Sequence, residues 1–580
     1  MADQAYELTL TSDAATLKAS GMAGLRYGMR TIADLMDRKR NRGGRGAPTS
    51  CIEFARYRER AGVVRIADWP DFAVRGVMLD ISRDKVPTMQ TLRRLVTLLA
   101  RWRFNQLQLY MEHTFAYRGH EAIWRGASPM TGAQIRALDR VCRDHGIELV
   151  PNQNSLGHME RWLKRRRYAP LAEYDGPYQT PWGETRTKPT TLNPCDSRSI
   201  ALVASLYRQL LPNFRSRLLN VGCDEPFELG QGKSRAACEQ MGAGQVYFEY
   251  LMKVRQAAAR HGRRIQFWSD WIQREPAMIG KLPRDVIPLV WGYEADHPFT
   301  EECRRPAKSG LEFHVCPGTS SWCSYAGRTS CMIENIRLAS AVGHRAGASG
   351  LLVTDWGDLG HCQQLPVSYP GFAWAAAKAW RADRLSKARR SRRLHRISAA
   401  NHIQAVLSRD VFLDETGRMA EAWLKAGRVH ELSGKPLKNR TVLFSIMQAN
   451  LHDTKAIPHI TDRRIASMID EIESIRRLAA SARPACDDAR PVRSELGLTL
   501  DVLEHSCRRW RLMLAIRRGE KIAKRVFAAL RQSAGNLIAE HKQIWLRRNR
   551  RGGLRDSLSN YRRVLAEYEA GVGGSPSGTV

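Results

Sequence analysis

The stretch VRGVMLDISRDKVPTMQTLRRLVTLLARWRFNQLQLYME, residues 74–112, contains one complete strand–helix–strand unit. VRGVMLDIS and NQLQLYME are short apolar runs, whereas TMQTLRRLVTLLARW between them repeats its apolar residues every three or four positions. The first pattern predicts buried strands and the second an amphipathic helix. Strands joined through a helix run parallel in one sheet, so the stretch predicts an α/β fold.

The same alternation continues along the chain. The further strand candidates are IELVPNQN, LLNVGCDE, RIQFWSD, VIPLVWGY, EFHVCPG and GLLVTDWGD. The further helix candidates include TGAQIRALDRVCRDHG and RSIALVASLYRQLL. Eight consecutive strand–helix units are typical of a (β/α)8 TIM barrel rather than of an open, doubly wound sheet.

Three regions follow from this pattern. We predict a small N-terminal α+β domain at residues 1–67, the barrel at residues 68–385 and a helical C-terminal domain at residues 386–580. The last ten residues, GVGGSPSGTV, predict a disordered tail. We expect the C-terminal helices to pack on the barrel or to form a homodimer contact.

Composition excludes some classes of protein. No run of about 18 apolar residues is present, so a membrane span is not expected. The N-terminus lacks the basic and apolar segments of a secretory signal, and the 12 cysteines show no C-x-x-C pair. These features predict a cytoplasmic protein with reduced thiols, or a periplasmic or secreted one if the natural start lies upstream.

The net charge of +34 has two interpretations. It could serve a polyanionic partner such as nucleic acid, or it could be an arginine-rich composition spread over solvated surfaces. The basic residues are dispersed and are not interleaved with aromatic residues as in a recognition motif. This favours an arginine-rich composition on solvated surfaces, and nucleic acid is not expected as a partner.

Polar and aromatic residues follow almost every predicted strand. These strand-end residues are Asp80, Glu112, His113, Asn152–Asn154, Asp224, Glu225, Trp268, Asp270, Trp291, Tyr293, Trp356 and Asp358. The carboxyl ends of barrel strands line the active site. Carboxylates and amides bind hydroxyl groups while aromatic faces pack on pyranose rings, so the pattern indicates a sugar site.

The segment LLNVGCDEPFELGQGKS, residues 218–234, allows a nucleotide-binding interpretation and an acid-pair interpretation. A phosphate-binding loop G-x-x-x-x-G-K-[ST] ending at Ser234 would need glycine at position 227. That position is Phe227, whose side chain excludes the open glycine turn.

Asp224 and Glu225 instead form an acid pair at a strand end. Burial and mutual repulsion should raise one pKa, which creates the proton donor that glycoside cleavage needs. A structural salt bridge to the basic barrel is the alternative. Adjacent acids suit a mechanism in which one protonates the leaving oxygen and the other orients the substrate's 2-acetamido group, whose oxygen attacks C1.

With these motifs the chain resembles glycoside hydrolase family 20, the β-N-acetylhexosaminidases. It is similar to a divergent, bacterial-type member of that family. The resemblance covers about residues 5–380. It rests on RGVMLDISR for the RG-x-x-x-D-x-x-R strand, RFNQLQLYMEHTF for the second strand, NSLGH for D-x-P-G-H and NVGCDE for G-x-D-E. FWSDW, VWGYE and VTDWGD match the later tryptophan-bearing strands. The N-terminal unit resembles a reduced accessory domain.

The resemblance implies a role for each matching residue. Glu225 would be the general acid/base, and Asp224 would hydrogen-bond the acetamido N–H. Arg75 and Asp358 would bind ring hydroxyls, and His158 would support the acids. Trp268, Trp291 and Trp356 would surround the acetamido methyl group and the sugar face.

The chain also departs from the family pattern. Asn154 and Leu156 replace the acid and proline of D-x-P-G-H, which predicts a weaker relay through His158. Glu112 and His113 stand where the family commonly has acids, which predicts altered hydroxyl recognition.

Other positions have no fixed counterpart. Tyr325 and Trp322 are candidates for the family's acetamido-capping tyrosine position. His361 is expected close to the site, where it would mark a subgroup with an altered substrate preference. The loop 159–195, with Tyr174, Tyr178 and Trp182, is expected to shape the leaving-group side.

These observations predict an exo-β-N-acetylhexosaminidase acting on terminal GlcNAc or GalNAc with retention, through an oxazoline, without metal or organic cofactor. Two alternatives remain: a glycan-binding barrel without turnover, and a polyanion-binding protein that uses its basic surface. A metal-dependent hydrolase is disfavoured, because His113, His158 and His361 lack ligand spacing.

Overall fold

The computed structural model describes residues 2–11, 14–40, 63–383, 391–453 and 457–571. Nine residues of the predicted tail, 572–580, lie outside the described residues, as do residues 384–390 around the predicted boundary at 385. The description below is confined to the described ranges.

Eight parallel strands close into a barrel in the order β10-β11-β12-β13-β4-β5-β6-β9. The strands of the chain are β1 (Tyr6–Leu10), β2 (Ala15–Ala19), β3 (Val64–Asp68), β4 (Val74–Asp80), β5 (Gln106–Met111), β6 (Glu148–Gln153), β7 (Tyr178–Gln179), β8 (Thr185–Arg186), β9 (Leu218–Asn220), β10 (Arg264–Trp268), β11 (Ile287–Trp291), β12 (His314–Cys316) and β13 (Gly350–Asp355). The last strand pairs with the first barrel strand from Gly350↔Val74 to Asp355↔Leu79, which closes the sheet. The predicted TIM barrel is therefore confirmed.

Helices alternate with the barrel strands and then continue without strands. They are α1 (Met22–Arg40), α2 (Met89–Arg101), α3 (Glu121–Trp124), α4 (Gly132–Asp144), α5 (Glu160–Leu163), α6 (Ser197–Leu210), α7 (Arg235–Met241), α8 (Ala243–Ala259), α9 (Asp270–Arg274), α10 (Pro276–Ile279), α11 (Phe299–Lys308), α12 (Thr329–Arg345), α13 (Tyr369–Trp380), α14 (Ser391–Leu407), α15 (Arg418–Ala426), α16 (Val442–Gln448), α17 (Asp462–Ala480), α18 (Ala489–Arg517), α19 (Lys524–Arg548), α20 (Leu554–Ser557) and α21 (Ser559–Ala570). α2 and α4 begin where the sequence predicts them, because Thr88 and Thr131 accept hydrogen bonds from the first-turn backbone N–H groups of these helices.

The barrel interior contains a buried network of side-chain amides. Gln108 donates to Gln106 (3.0 Å) and Gln266 (2.8 Å), and it accepts from Asn152 (3.1 Å) and Asn220 (3.0 Å). These hydrogen bonds join four strands at one level. Because buried amides are costly unless they are paired, the network fixes the relative positions of the strands beneath the mouth of the barrel.

The N-terminal region places a small antiparallel sheet, in the order β2-β1-β3, against α1. Tyr6, Leu8 and Tyr27 form its core, and Trp380 at the end of α13 packs against them. This unit therefore lies against the end of the barrel at which β4 begins.

The C-terminal helices pack on the barrel beside its mouth. The backbone N–H of Arg550 donates to the carbonyl of Val86 (2.8 Å), and its guanidinium donates to the carbonyl of Pro129 (2.7 Å). The N–H of Thr88 donates to the carbonyl of Arg548 (2.9 Å). The segment after α19 therefore holds the loop that follows β4. Homodimerisation stays a prediction.

None of the helices within the described ranges combines the length and the apolarity that crossing a membrane requires.

Two local features differ from the sequence prediction. β9 ends at Asn220, so the backbone leaves the strand before Asp224 and Glu225. The loop 159–195 contains the two-stranded hairpin β7–β8, which the sequence did not predict because each strand has only two residues.

Gly553 tests how firmly the C-terminal segment is seated against the loop after β4. Its φ is +78°, and an added Cβ would lie 1.9 Å from the carbonyl oxygen of Asp84. Gly519 has a similar φ of +69° but no atom within 4 Å of its added Cβ. We expect Gly519→Ala to lower the free energy of unfolding by about 1 kcal/mol, and Gly553→Ala by ~2–4 kcal/mol because a steric clash adds to the backbone strain. Denaturant unfolding measures both, and equal losses would contradict the contact.

Candidate functional site

The two adjacent acids face the same histidine. Nε2 of His158 lies 3.2 Å from Oδ2 of Asp224 and 3.5 Å from Oε2 of Glu225. Neighbouring side chains of a strand point to opposite faces, so an extended backbone could not produce this arrangement. Cys223 (φ +64°) and Glu225 (φ +48°) instead adopt left-handed conformations, at a cost of about 1–2 kcal/mol each.

Neighbouring elements hold this left-handed turn in place. The N–H of Cys223 donates to Oδ1 of Asn154 (3.3 Å), and the N–H of Glu225 donates to Oδ2 of Asp270 (3.1 Å). Gly157 packs directly on the turn, since a Cβ there would lie 2.2 Å from the carbonyl oxygen of Asp224. The segment after β6 and the start of α9 therefore stabilise the turn from two sides.

Asp224 is the deeper and more acidic carboxyl group. Burial raises its pKa, but the charge and hydrogen bond of His158, together with a hydrogen bond from Nδ2 of Asn154 to Oδ1 (2.8 Å), outweigh burial and hold the pKa below its ordinary value. Asp224 is therefore a carboxylate at neutral pH.

Glu225 has the opposite tendency. Burial raises its pKa, the negative charges of Asp224 and Asp358 raise it further, and His158 and Arg83 counteract only part of the rise. Its side chain is 28% exposed, against 8% for Asp224. The pair thus combines a buried carboxylate with a carboxyl group nearer the solvent that retains its proton more readily.

His158 links the two acids to an arginine. Burial lowers its pKa, and Arg83, whose Nη2 lies 3.4 Å from Nδ1, lowers it further, but Asp224 and Glu225 raise it to about 9. Asn154, which the sequence analysis connected with a relay through His158, contacts Asp224 instead.

Arg83, and not Arg75, is the arginine that lies beside the acids, where the sequence predicts a residue that binds ring hydroxyl groups. Its Nε lies 3.2 Å from Glu112 and 3.9 Å from Asp358, and its Nη1 lies 3.1 Å from Asp80. These distances bring the predicted binding residues Glu112 and Asp358 together around one guanidinium group. Arg83 closes the RG-x-x-x-D-x-x-R motif and follows the carboxyl end of β4.

The prediction that Arg75 contacts substrate is wrong. Arg75 is 1% exposed and lies near the N-terminal end of β4, about 16 Å along the strand from Asp80. It donates to the side chain of Gln4 (2.8 Å) and to the carbonyl of Arg103 (2.8 Å). Arg75 therefore joins the barrel to the N-terminal sheet at the end opposite the acids.

The predicted tryptophans meet around Tyr293. The rings of Trp268 and Trp356 lie 5.7 Å apart, and Nε1 of Trp356 donates to the Tyr293 hydroxyl (2.8 Å). Trp291 stacks on Tyr293 (5.1 Å), and Trp322 meets it edge-on (4.9 Å). The sequence places Tyr293 only among the strand-end residues, although it stands two positions after Trp291.

Three other candidates lie behind the site. Tyr325 is buried against Phe444 and Tyr561, so its proposed capping role is wrong. His113 is 1% exposed, and burial lowers its pKa to about 3. Nδ1 of His361 faces the carbonyl of Arg83 (3.1 Å), so His361 supports the backbone of that arginine.

Asp270 is a member of the acid cluster to which the sequence analysis gave no role. Burial, and then the charges of Asp224 and Glu225, raise its pKa to about 8. It is therefore protonated at neutral pH while it accepts the Glu225 N–H. The signal was its place two residues after Trp268, at a strand end.

Within the described ranges, no three His, Cys, Asp or Glu side chains are grouped so that they could hold a metal ion.

Comparison with known proteins connects this geometry to a family. Residues 72–331 match the model of the glycosyl hydrolase family 20 catalytic domain. The matched range contains β4 to β12 and both acids, but ends before β13.

Curated relatives are similar over the same part of the chain. Human hexosaminidase D is 27% identical over 234 residues, covering 39% of this chain and 46% of that protein. Bovine hexosaminidase D is 25% identical over 295 residues, covering 46% of this chain and 81% of that protein. The aligned part thus spans about half the length of the human relative.

A solved structure supports the fold over most of the chain. The chitobiase of Flavobacterium johnsoniae superposes with a TM-score of 0.54 at 15% identity, covering 93% of this chain and 86% of that one. The likeness extends beyond the barrel, and at this identity it is evidence of fold.

His158 provides a direct test of the electrostatics. Its imidazole should titrate in the folded protein with a pKa near 9. In Asp224→Asn the largest attraction is lost while burial, Arg83 and the weaker attraction of Glu225 remain, so the pKa should fall well below 9. NMR titration of the ring protons measures both values, and an unchanged pKa in Asp224→Asn would contradict the assignment.

The same shift predicts how stability depends on pH. The folded-state pKa of His158 lies above its unfolded value of about 6.5, so its stabilising contribution is complete below pH ~6.5 and is lost as the pH rises through 9. The free energy of unfolding should therefore fall more steeply between these pH values in the wild type than in His158→Gln. If the free energy of unfolding depended on pH in the same way in both proteins, the ion pair between His158 and Asp224 would not form.

Proposed function

We propose that the chain is an exo-β-N-acetylhexosaminidase, because residues 72–331 match the catalytic domain of glycosyl hydrolase family 20. It removes terminal GlcNAc or GalNAc residues from glycans or glycoconjugates with retention of configuration. The observation that carries this proposal is the pair Asp224–Glu225, two consecutive carboxyl groups that face one histidine and differ in the direction of their pKa shifts.

Glu225 supplies the proton in the first step. Its raised pKa and partial exposure suit a general acid that protonates the glycosidic oxygen. As the bond to the leaving group breaks, the acetamido oxygen of the substrate attacks C1 and forms an oxazolinium ion. In the second step Glu225, now a carboxylate, takes a proton from the water that opens this ring.

Asp224 stabilises the positive charge that develops. As a carboxylate it accepts the acetamido N–H and holds the carbonyl oxygen below C1. Its bonds to Asn154 and His158 fix its orientation before substrate arrives, so the site needs little reorganisation during the reaction.

Arg83 and the aromatic cluster hold the sugar. Arg83, Glu112 and Asp358 provide donors and acceptors for ring hydroxyl groups, and Trp268 and Trp356 provide apolar faces. The Tyr293 hydroxyl accepts a bond from Trp356 and also carries a proton, with which it would donate to the acetamido oxygen.

The alternatives from the sequence are not favoured. A binding protein without turnover has no need to hold two adjacent carboxyl groups on a strained turn with their pKa values shifted in opposite directions. A polyanion site would need unpaired basic groups, whereas Arg83 at this mouth is surrounded by carboxylates.

The acid pair gives the test of this function. Glu225→Gln should lower kcat for a disaccharide substrate ~10²–10⁴-fold, and less for a p-nitrophenyl glycoside, whose leaving group needs less protonation. Asp224→Asn should lower kcat ~10²–10³-fold for both substrates, since it acts on the acetamido group rather than on the leaving group. Full activity of either variant, with unchanged folding by circular dichroism, would overturn the proposal.

A second test separates the two arginines of the first barrel strand. Arg83→Gln should lower kcat/KM ~10–100-fold, because it removes charged hydrogen bonds to the sugar. Arg75→Gln should lower the melting temperature while kcat/KM per folded molecule stays unchanged, because Arg75 contacts only the N-terminal side of the barrel. If Arg75→Gln lowered kcat/KM per folded molecule and Arg83→Gln did not, Arg75 would be the arginine that contacts the sugar.

A further inference from the structure

The most exposed aromatic residue of the loop 159–195 is Trp182, which lies in the turn of the β7–β8 hairpin. Its side chain is 57% exposed. The ring meets Phe227 edge-on at 4.9 Å, while the guanidinium of Arg186 lies 5.6 Å from each ring. Trp182 is therefore held in position from below although most of its surface faces solvent.

The hairpin is fastened to the segment that carries the general acid. Gln231 accepts from the N–H of Gln179 (3.3 Å) and donates to the carbonyls of Gln179 (3.1 Å) and Phe227 (2.7 Å). The N–H of Phe227 donates in turn to the carbonyl of Glu225 (2.8 Å). Phe227 stands two residues after Glu225, so their Cα atoms are at most about 7 Å apart.

The other end of the loop leads back to the same pair of acids. The loop begins directly after His158, and its return strand is fixed by Thr190 and Thr191, which donate to the carboxylate of Glu228. One end of the loop therefore begins next to His158, which faces both acids. The other end is attached to Glu228, which stands three residues after Glu225. Such fastening holds an exposed side chain at a fixed place beside the mouth.

The exposure of these residues indicates on which side of Glu225 the leaving group lies. The side chain of Asp224 is 8% exposed, that of Glu225 is 28% exposed and Trp182 is 57% exposed. In the proposed mechanism the sugar that is cleaved off binds on the deep side of Glu225, against Trp268, Trp356 and Tyr293. The general acid protonates the oxygen that joins this sugar to the leaving group, so the leaving group lies on the outer side, toward Trp182.

We propose that Trp182 forms a leaving-group subsite that stacks on a pyranose ring, so that the preferred substrate is an oligosaccharide rather than an N-acetylhexosaminide of a small, ring-free aglycone. Resting on the function proposed above, this assignment names the class of leaving group. Aromatic faces pack on the C–H faces of pyranose rings. Glu184, which accepts from Trp182 Nε1 (3.1 Å), and Arg186 supply an acceptor and a donor for the hydroxyl groups of that ring.

The test compares two substrates in Trp182→Ala and Trp182→Phe. For N,N′-diacetylchitobiose, kcat/KM should fall ~3–10-fold in Trp182→Ala, and Trp182→Phe should restore part of the loss. For N-acetyl-β-glucosaminyl fluoride, whose leaving group has no ring, both variants should match the wild type. Trp69, 47% exposed and beside the first barrel strand at its N-terminal end, provides the matched control, and Trp69→Ala should change neither value.

Each outcome is decisive. Equal losses on the disaccharide and the fluoride in Trp182→Ala would overturn the subsite while the hydrolytic function stands. No loss on the disaccharide would overturn it as well. Failure of the wild type to turn over either substrate would overturn the proposed function, and the subsite with it.

Discussion

The site depends on one constraint, which is that two consecutive carboxyl groups must face the same histidine. A strand cannot do this, since its side chains alternate between faces. The chain leaves β9 at Asn220 and passes through left-handed residues at Cys223 and Glu225. Strained backbone persists only where its surroundings enforce it, and here Asn154, Asp270 and the close approach of Gly157 do so.

Charge is distributed around that turn in a way that the overall composition hides. The chain carries a net charge of +34, yet the mouth of the barrel is rich in acids. The acids at the mouth are Asp80, Glu112, Asp224, Glu225, Asp270 and Asp358. Arg83 and His158 lie between them, and burial keeps Asp270 protonated at neutral pH. The local field thus favours a neutral or cation-forming substrate despite the positive net charge of the whole chain.

Much of the fold could be predicted from hydrophobic pattern alone. All eight barrel strands and the helices α2 and α4 lie within the predicted segments, and α6 begins one residue before its segment. The strands were predictable because buried parallel strands read as continuous apolar runs. The hairpin β7–β8 escaped prediction because two-residue strands have no periodicity. The turn at Cys223 escaped because non-glycine residues in left-handed backbone carry no clear local signal.

The site could be predicted in its residue types but not in all its positions. Glu112, Asp358 and the tryptophans follow strand ends, and the structure brings them to the mouth. Arg75 was chosen over Arg83 although both belong to one motif, and only Arg83 follows the carboxyl end of β4, where barrel sites lie. Tyr325 is a sequence candidate for the capping position, whereas the structure buries it against α16 and α21.

The central claim is that the nucleophile belongs to the substrate. Turnover of a panel of p-nitrophenyl β-glycosides that differ only at C2 tests it most directly, with acetamido, trifluoroacetamido, amino and hydroxyl groups compared. The account predicts the highest kcat for the acetamido compound, a loss of activity as fluorine withdraws electrons from the carbonyl oxygen, and no turnover of the amino and hydroxyl compounds. Comparable turnover of the 2-hydroxyl glycoside would contradict it.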